Sequence, residues 1–251
     1  MKKGIIFLAS LFTAFCYAQE IPVNVKKLMD AYPDQIIGFK NNNLVFKDNS
    51  TLIYNDGKKK DNQQLLDEPD IEDQFLFAYK KGKYSGNDKN EDPGRIRNEA
   101  FFKKIYGNSK ATVEQKLVNV IWCPKLVNQR IKVTSVNGLD KIVKQLSDDL
   151  DKHPEFKKYI TDIGGTFNWR KIAGTDRLSM HSFGMTIDIN VKYSNYWQWD
   201  CKCKNEKNKL SYKNQIPDSL IAIFEKHGFI WGGKWYHYDT MHFEYRPELL
   251  K

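Results

Sequence analysis

Hydrophobic and polar positions change rhythm along this chain, and each change marks an element. Two short stretches near the C-terminus alternate strictly. Between Met185 and Asn190, Met185, Ile187 and Ile189 share one face while Thr186, Asp188 and Asn190 share the other. Between Thr240 and Tyr245, Met241, Phe243 and Tyr245 oppose Thr240, His242 and Glu244. Both predict strands with a polar face. Elsewhere the spacing is helical. Leu139, Ile142, Val143, Leu146 and Leu150 follow the turn pair Asn137-Gly138, and Leu220, Ile221, Ile223 and Phe224 lie between Pro217 and His227, with Gly228 just past the end. Thr112-Val113-Glu114-Gln115 reads as a capping box opening a helix that carries Val113, Leu117, Val120 and Ile121.

The N-terminal third has a different texture. Residues 22–60 predict a short helix followed by strands at Ile36-Ile37-Gly38-Phe39, Leu44-Val45-Phe46 and Thr51-Leu52-Ile53-Tyr54, separated by Asn and Asp-Gly turn signals. This is the pattern of a small β meander. Residues 80–94 are rich in Lys, Gly, Asn and Asp and read as a loop, placing a boundary between an N-terminal extension of unknown role (19–91) and a denser region (92–251). Helices precede and separate the strands without a regular βαβ repeat, so the expected fold is α+β, a largely antiparallel sheet with helices packed on it.

Composition alters this picture at the start of the chain. Lys2 and Lys3 lead into an apolar run from Gly4 to about Tyr17 that ends in Cys16-Tyr17-Ala18. That is the layout of a signal peptide over residues 1–18, cut before Gln19, and the run is too short to span a bilayer. No later apolar stretch is long enough to cross one. The expected location is periplasmic or secreted. Losing Lys2 and Lys3 lowers the formal charge from +9 to +7. A basic balance in that compartment suits wall carboxylate or phosphate rather than nucleic acid, or else serves solubility alone. Cys123, Cys201 and Cys203 remain. A bond between Cys201 and Cys203 would close a very small ring, so the expectation is one disulfide joining Cys123 to either of them, with one free thiol.

The candidate chemistry comes from five histidines. His153 and His227 lie at predicted helix ends, where a cation suits the dipole. His237 lies near Asp239, either supporting the site or exposed. His181 and His242 fall in the polar-faced segments, with Asp188 on the same strand face. A catalytic zinc takes about three imidazole or carboxylate ligands and leaves one position open for water. His181, Asp188 and His242 supply that mixture, and Gly184 permits a turn between the first two. Asp239, three residues before His242, stands where a general base is needed. Glu244 shares the face of His242 and can either orient it or take the base's role. Tyr193, Tyr196, Trp197 and Trp199 follow Asp188 and are expected to be packed core or interface rather than a cleft wall.

Ser-x-His-x-x-Gly-x-x-x-Asp over Ser179–Asp188, with Asp-x-x-His over Asp239–His242, resembles the VanY-type D-alanyl-D-alanine carboxypeptidase family. Its relatives include D-Ala-D-Ala dipeptidases, endolysin L-alanyl-D-glutamate peptidases and the signalling domain of Sonic hedgehog. The similarity takes in Gly165-Thr166-Phe167-Asn168-Trp169-Arg170, Gly228-Phe229-Ile230-Trp231-Gly232-Gly233 and Phe243-Glu244-Tyr245-Arg246-Pro247. It is strong over 160–248 and weaker back to 92. The resemblance implies a hedgehog/D-Ala-D-Ala-peptidase-like domain with Zn2+ in a cleft. It implies His181, Asp188 and His242 as ligands, and Asp239 as the base acting on a zinc-bound water. Arg170 would steady the oxyanion or a substrate carboxylate, and Ser179 would line the substrate cleft. The implied activity is hydrolysis of peptidoglycan stem peptides or muropeptides, of D-Ala-D-Ala carboxypeptidase or L-Ala-D-Glu endopeptidase type. Two positions depart from the pattern. Asp239 stands where the dipeptidases have Glu, which leans toward endopeptidase-type cleavage, and Thr186 replaces a common Ala. The alternatives are a zinc-containing, non-catalytic cell-wall-binding module, and a wall-binding protein whose basic surface does the work.

Overall fold

The computed structural model describes residues 20–84, 86, 88–203 and 209–251. The expected signal peptide and its cleavage site lie outside the described residues. Among the described residues no helix is long and apolar enough to cross a membrane.

The chain opens with α1 (Val23–Ala31), which buries Val25, Leu28 and Ala31. The expected meander follows as β1 (Ile36–Lys40), β2 (Asn43–Phe46) and β3 (Thr51–Ile53), antiparallel in that order. Asn41 and Asn42 both adopt positive φ, giving the two-residue turn whose twist matches a hairpin. α2 (Asn62–Asp67) starts on a capping box made by Asp61 and Gln64. α3 (Glu99–Tyr106) is capped by Asn98, and α4 (Lys110–Glu114) by Ser109.

Here the sequence expectation needs correction. The capping box is Ser109 with Thr112, and the helix it opens ends at Glu114. Leu117, Val120 and Ile121 belong instead to β4 (Leu117–Trp122), which pairs in register with β5 (Gln129–Thr134). The run is dense in β-branched residues, and the hairpin supplies every residue with a partner across the ladder. In a helix Val118, Val120 and Ile121 would each lose χ1 freedom against the preceding turn, a cost the extended strand avoids.

α5 (Leu139–Leu150) forms as expected and buries Leu139, Val143, Leu146 and Leu150. α6 (Lys157–Ile160) leads into the site-bearing sheet. That sheet comprises β6 (Ile163–Gly165), β7 (Thr186–Asn190), β8 (Phe229–Trp231) and β9 (His242–Tyr245) in the order β6-β7-β9-β8, all antiparallel. α7 (Trp197–Cys201) and α8 (Asp218–Lys226) lie between β7 and β8. Met185, Ile187, Ile189 and Phe243 point into one continuous core that also holds Val25, Leu28 and Phe46 from the N-terminal segment. Phe224 of α8 stacks on Phe243 with centroids 3.8 Å apart, fixing that helix to the sheet. The fold is thus α+β with antiparallel sheets and packed helices.

The disulfide expectation is also corrected. Cys201 bonds Cys203, with their Cα atoms 5.2 Å apart, and Cys123 is a buried free thiol. Lys202 between them takes a left-handed φ of 52°, and that fold-back brings two cysteines of such short spacing within bonding range. Cys123 is sealed in the core, out of reach of the exposed end of α7.

A candidate metal centre in an open cleft

His181 lies in a single 3-10 turn, Met180–Phe183, that runs directly into Gly184. Gly184 has φ 65°, a conformation cheap only for glycine, and this reverses the chain into β7. Asp188, on β7, faces His242 across the ladder as its direct register partner. The three side chains therefore meet. Asp188 Oδ2 lies 3.1 Å from His181 Nε2, and its Oδ1 lies 3.0 Å from His242 Nδ1. One ligand atom from each lies within 4.8 Å of the others, a group that can hold a metal ion.

The outer nitrogens of both rings are occupied in ways that turn the inner ones toward the centre. His181 Nδ1 sits 2.9 Å from the Thr166 carbonyl oxygen, which can only accept a hydrogen bond. A proton therefore belongs on Nδ1, which makes Nε2 the nitrogen turned toward the centre and available to a metal. Thr186 donates to the same carbonyl at 3.2 Å. The threonine that departs from the family pattern thus anchors the peptide that orients His181. His242 Nε2 lies 3.3 Å from Glu244 Oε2. Glu244 is itself gripped by Arg97, closest at 2.6 Å, and by Arg246 at 3.0 Å. Burial opposes ionisation of Glu244, but Arg97, His242 and Arg246 outweigh it and hold the carboxyl below its usual range. Fully enclosed and committed, Glu244 orients His242; the base's role that the sequence left open for it does not fit this geometry. Burial likewise opposes charge on His242, yet Asp188 and Glu244 push it up to about 10.

Asp239 stands beside this group at an isolated bridge to Tyr196. Its Oδ1 is buried without a hydrogen-bond partner. Burial first, and then the Asp188 charge, raise its carboxyl to about 6. That combination is the environment of a carboxylate kept ready to take a proton near neutral pH.

The centre opens on a cleft of about 500 Å³. Ser179 and Arg170 line it. The Arg170 backbone is held by Ser182 Oγ at 3.1 Å, while its guanidinium makes only a 3.4 Å contact to the Lys171 carbonyl and has no acidic partner among the described residues. The aromatic cluster is corrected in part. Trp197 is buried, but it, Tyr196 and Trp199 all border the cleft, and Trp199 is 56 % exposed. Tyr193 alone turns away, toward Tyr159. His237 is also on the cleft wall, its Nδ1 2.7 Å from Asp92 Oδ2. His153 and His227 pair with Glu155 and Asp149 outside the cleft.

Sequence reasoning missed three arginines on the cleft wall: Arg95, Arg97 and Arg177. The first two belong to Pro93-Gly94-Arg95-Ile96-Arg97, next to a stretch read as a loop. The alternation of basic residues there was a legible signal. What it faced was not.

An α+β protein with a His-Asp-His centre, each imidazole braced from behind, is the class that this fold and site define. Residues 173–245 match the family model described as D-alanyl-D-alanine carboxypeptidase, in keeping with the VanY-type resemblance of the sequence. The match takes in Ser179, His181, Asp188, Asp239 and His242 and stops short of Arg170, Arg95 and Arg97. No curated protein and no solved structure matches the chain.

Proposed function

We propose that this protein is an exported zinc peptidase that hydrolyses peptide bonds of peptidoglycan stem peptides, on a domain of the hedgehog/D-Ala-D-Ala-peptidase type. The observation that carries the reading is the bracing of both imidazoles. Thr166 O and Glu244 take the outer nitrogens, so that Nε2 of His181, Nδ1 of His242 and the Asp188 carboxylate converge with mixed nitrogen and oxygen character, a set suited to zinc. Zinc held there supplies a Lewis acid that polarises the scissile carbonyl and acidifies water. Asp239 accepts the proton of the attacking water and returns it to the departing amine. Arg170, charged and uncommitted, swings to the carbonyl oxygen as negative charge develops. Ser179 and the Tyr196–Trp199 edge hold the peptide backbone alongside.

Incubating zinc-loaded protein with intact muropeptides and weighing the products tests this. Loss of one terminal D-Ala identifies a carboxypeptidase, and scission between L-Ala and D-Glu an endopeptidase. Chelation should abolish either. Muropeptides that bind but stay whole, with one zinc per chain confirmed, would refute the peptidase and leave a wall-binding module. Export is proposed from residues 1–18, and the exported chain should begin at Gln19 by intact mass. A start at Cys16 carrying lipid would replace that assignment with a lipid-anchored one.

A further inference from the structure

Four arginines face the cleft: Arg95, Arg97, Arg170 and Arg177. The carboxylates on the same wall are Asp188 and Asp239, both assigned above to the candidate centre. The arginines are not equally engaged. Arg97 is spent on Glu244 through both Nε and Nη2. Arg95 gives one nitrogen, Nη1, to Asp92 at 2.7 Å. The buried Nε of Arg177 lies 3.3 Å from Asp67 Oδ1, an ion pair not aligned as a hydrogen bond, so its remaining donor capacity lies in the two terminal nitrogens. Glu99, the other acid beside Arg177, is already taken by Lys103 and by the Leu178 N–H. Burial, with the charges of Arg95 and Arg97 close by, makes the Arg177 cation less stable than a free guanidinium. Arginines 95, 97 and 177 also border a small recess next to the cleft, closed by Met180 and Phe183.

The placement is built rather than incidental. The stretch carrying Arg95 and Arg97 is pinned to the sheet by Trp235 Nε1 on Pro93 O at 2.8 Å and by Arg246 Nη1 on Gly94 O at 2.9 Å. A Cβ on Gly94 would meet Ile230 Cδ1 at 2.3 Å, so the backbone there is seated hard against β8. Like charges brought together at a partly buried wall, with donor capacity left over, suit an anion with two oxygens.

We propose that Arg95 and Arg177 form a carboxylate subsite beside the candidate metal centre, fixing a free carboxylate of the peptide substrate. This rests on the peptidase reading above and deepens it. The carboxylate is either the C-terminal one or an internal one, such as the α-carboxylate of a γ-linked D-Glu.

Two peptide pairs separate these sources: diacetyl-L-Lys-D-Ala-D-Ala against its C-terminal amide, and L-Ala-γ-D-Glu-L-Lys-D-Ala-D-Ala with the Glu α-carboxylate free or amidated. The pair in which the acid is preferred by wild type names the source. For that pair, Arg177→Gln and Arg95→Gln should each raise KM for the acid by about tenfold to a hundredfold and leave the amide nearly unaffected. Arg177→Lys should recover part of the loss, since it keeps the charge and lacks the fork. Thermal melts show which variants fold, and Arg95→Gln carries the comparison if Arg177→Gln does not. Equal losses on acid and amide, or no loss on either, overturn the subsite. If no peptide is cut, the peptidase reading fails, and titration calorimetry of the same pairs still decides the subsite. An acid preference in wild type that Arg177→Gln removes supports it, and equal binding of acid and amide overturns it.

Discussion

Asp239 is the residue where chemistry and stability pull against each other. Its Oδ1 has no partner, and its neighbour Asp188 is anionic. A carboxyl raised to about 6 binds protons more tightly in the folded chain than in the unfolded one. The metal-free protein should therefore lose stability as pH rises from about 4 through 6, the reverse of an ordinary ion-paired aspartate. Asp239→Asn removes the charge and keeps the shape. It should raise metal-free stability at pH 7 by on the order of 1–3 kcal/mol, read by urea titration. The same change should lower turnover by about a hundredfold to ten-thousandfold while zinc stays bound. In the zinc-loaded enzyme the cation favours the ionised carboxyl, so kcat/KM should fall with protonation of Asp239 only at a pH below about 6. A variant both destabilised and fully active would remove Asp239 from the role. Strict alternation in two short strands is enough to put His242 and Asp188 on polar faces that can meet, and the x-x-Gly spacing adds His181 to them. The Thr166 carbonyl that sets the His181 tautomer was beyond sequence reasoning, because every residue carries an identical carbonyl and only the register of β6 against β7 selects this one.

At the scale of elements, the turn between His181 and β7 decides whether the centre forms. Gly184 is left-handed, and an added Cβ would meet Leu117 Cδ2 at 2.6 Å and the Thr134 amide nitrogen at 3.2 Å. Thr134 N–H donates to the Gly184 carbonyl at 2.9 Å, so the β4–β5 hairpin buttresses the turn from outside. Gly184→Ala should cost about 1–3 kcal/mol, through the φ penalty and the displaced Leu117. It should also weaken zinc binding, because His181 is carried on the same turn. Chemical denaturation and competition with a chelator measure the two effects. An unchanged midpoint together with unchanged affinity would show that the turn tolerates a side chain. That buttress is also the hairpin mistaken for a helix. Leu117, Val120 and Ile121 sit at spacings compatible with a helical stripe, and a run this short cannot be assigned by periodicity alone. The density of β-branched residues was the better guide. The Cys201–Cys203 bond was likewise hidden, since closing so short a span depends on the left-handed Lys202, a backbone state with no mark in the sequence.

Across the whole molecule, a buried chain of polar groups ties the first helix to the candidate ligand. Tyr32, just after α1, donates to Glu248 Oε2 at 2.9 Å. Arg246 joins Glu248 to Glu244, and Glu244 meets His242. Arg246, Glu244 and Glu248 are all fully enclosed, so each charge relies on the next for compensation. The N-terminal segment read from sequence as an extension therefore covers this network and contributes Val25, Leu28, Tyr32 and Phe46 to the common core. Sequence could outline its helix and meander from local periodicity, but not where they dock, since docking lies in pairings such as Tyr32 with Glu248 that are 216 residues apart. The consequence is testable by truncation. A chain of residues 92–251 keeps His181, Asp188, Asp239 and His242, yet it exposes the Phe101 and Phe102 surface against which Tyr32 packs, with Tyr32 and Phe101 centroids 5.5 Å apart. It also opens the Glu248–Arg246 pair to water. Residues 92–251 alone should therefore show no cooperative thermal transition and should bind zinc far more weakly than residues 20–251. In the intact chain, Tyr32→Phe removes one donor to a buried carboxylate and should cost about 1–3 kcal/mol with the centre preserved. A truncated chain that melts cooperatively and binds zinc as tightly as residues 20–251 would show that the segment is an independent accessory and that the network closes without it.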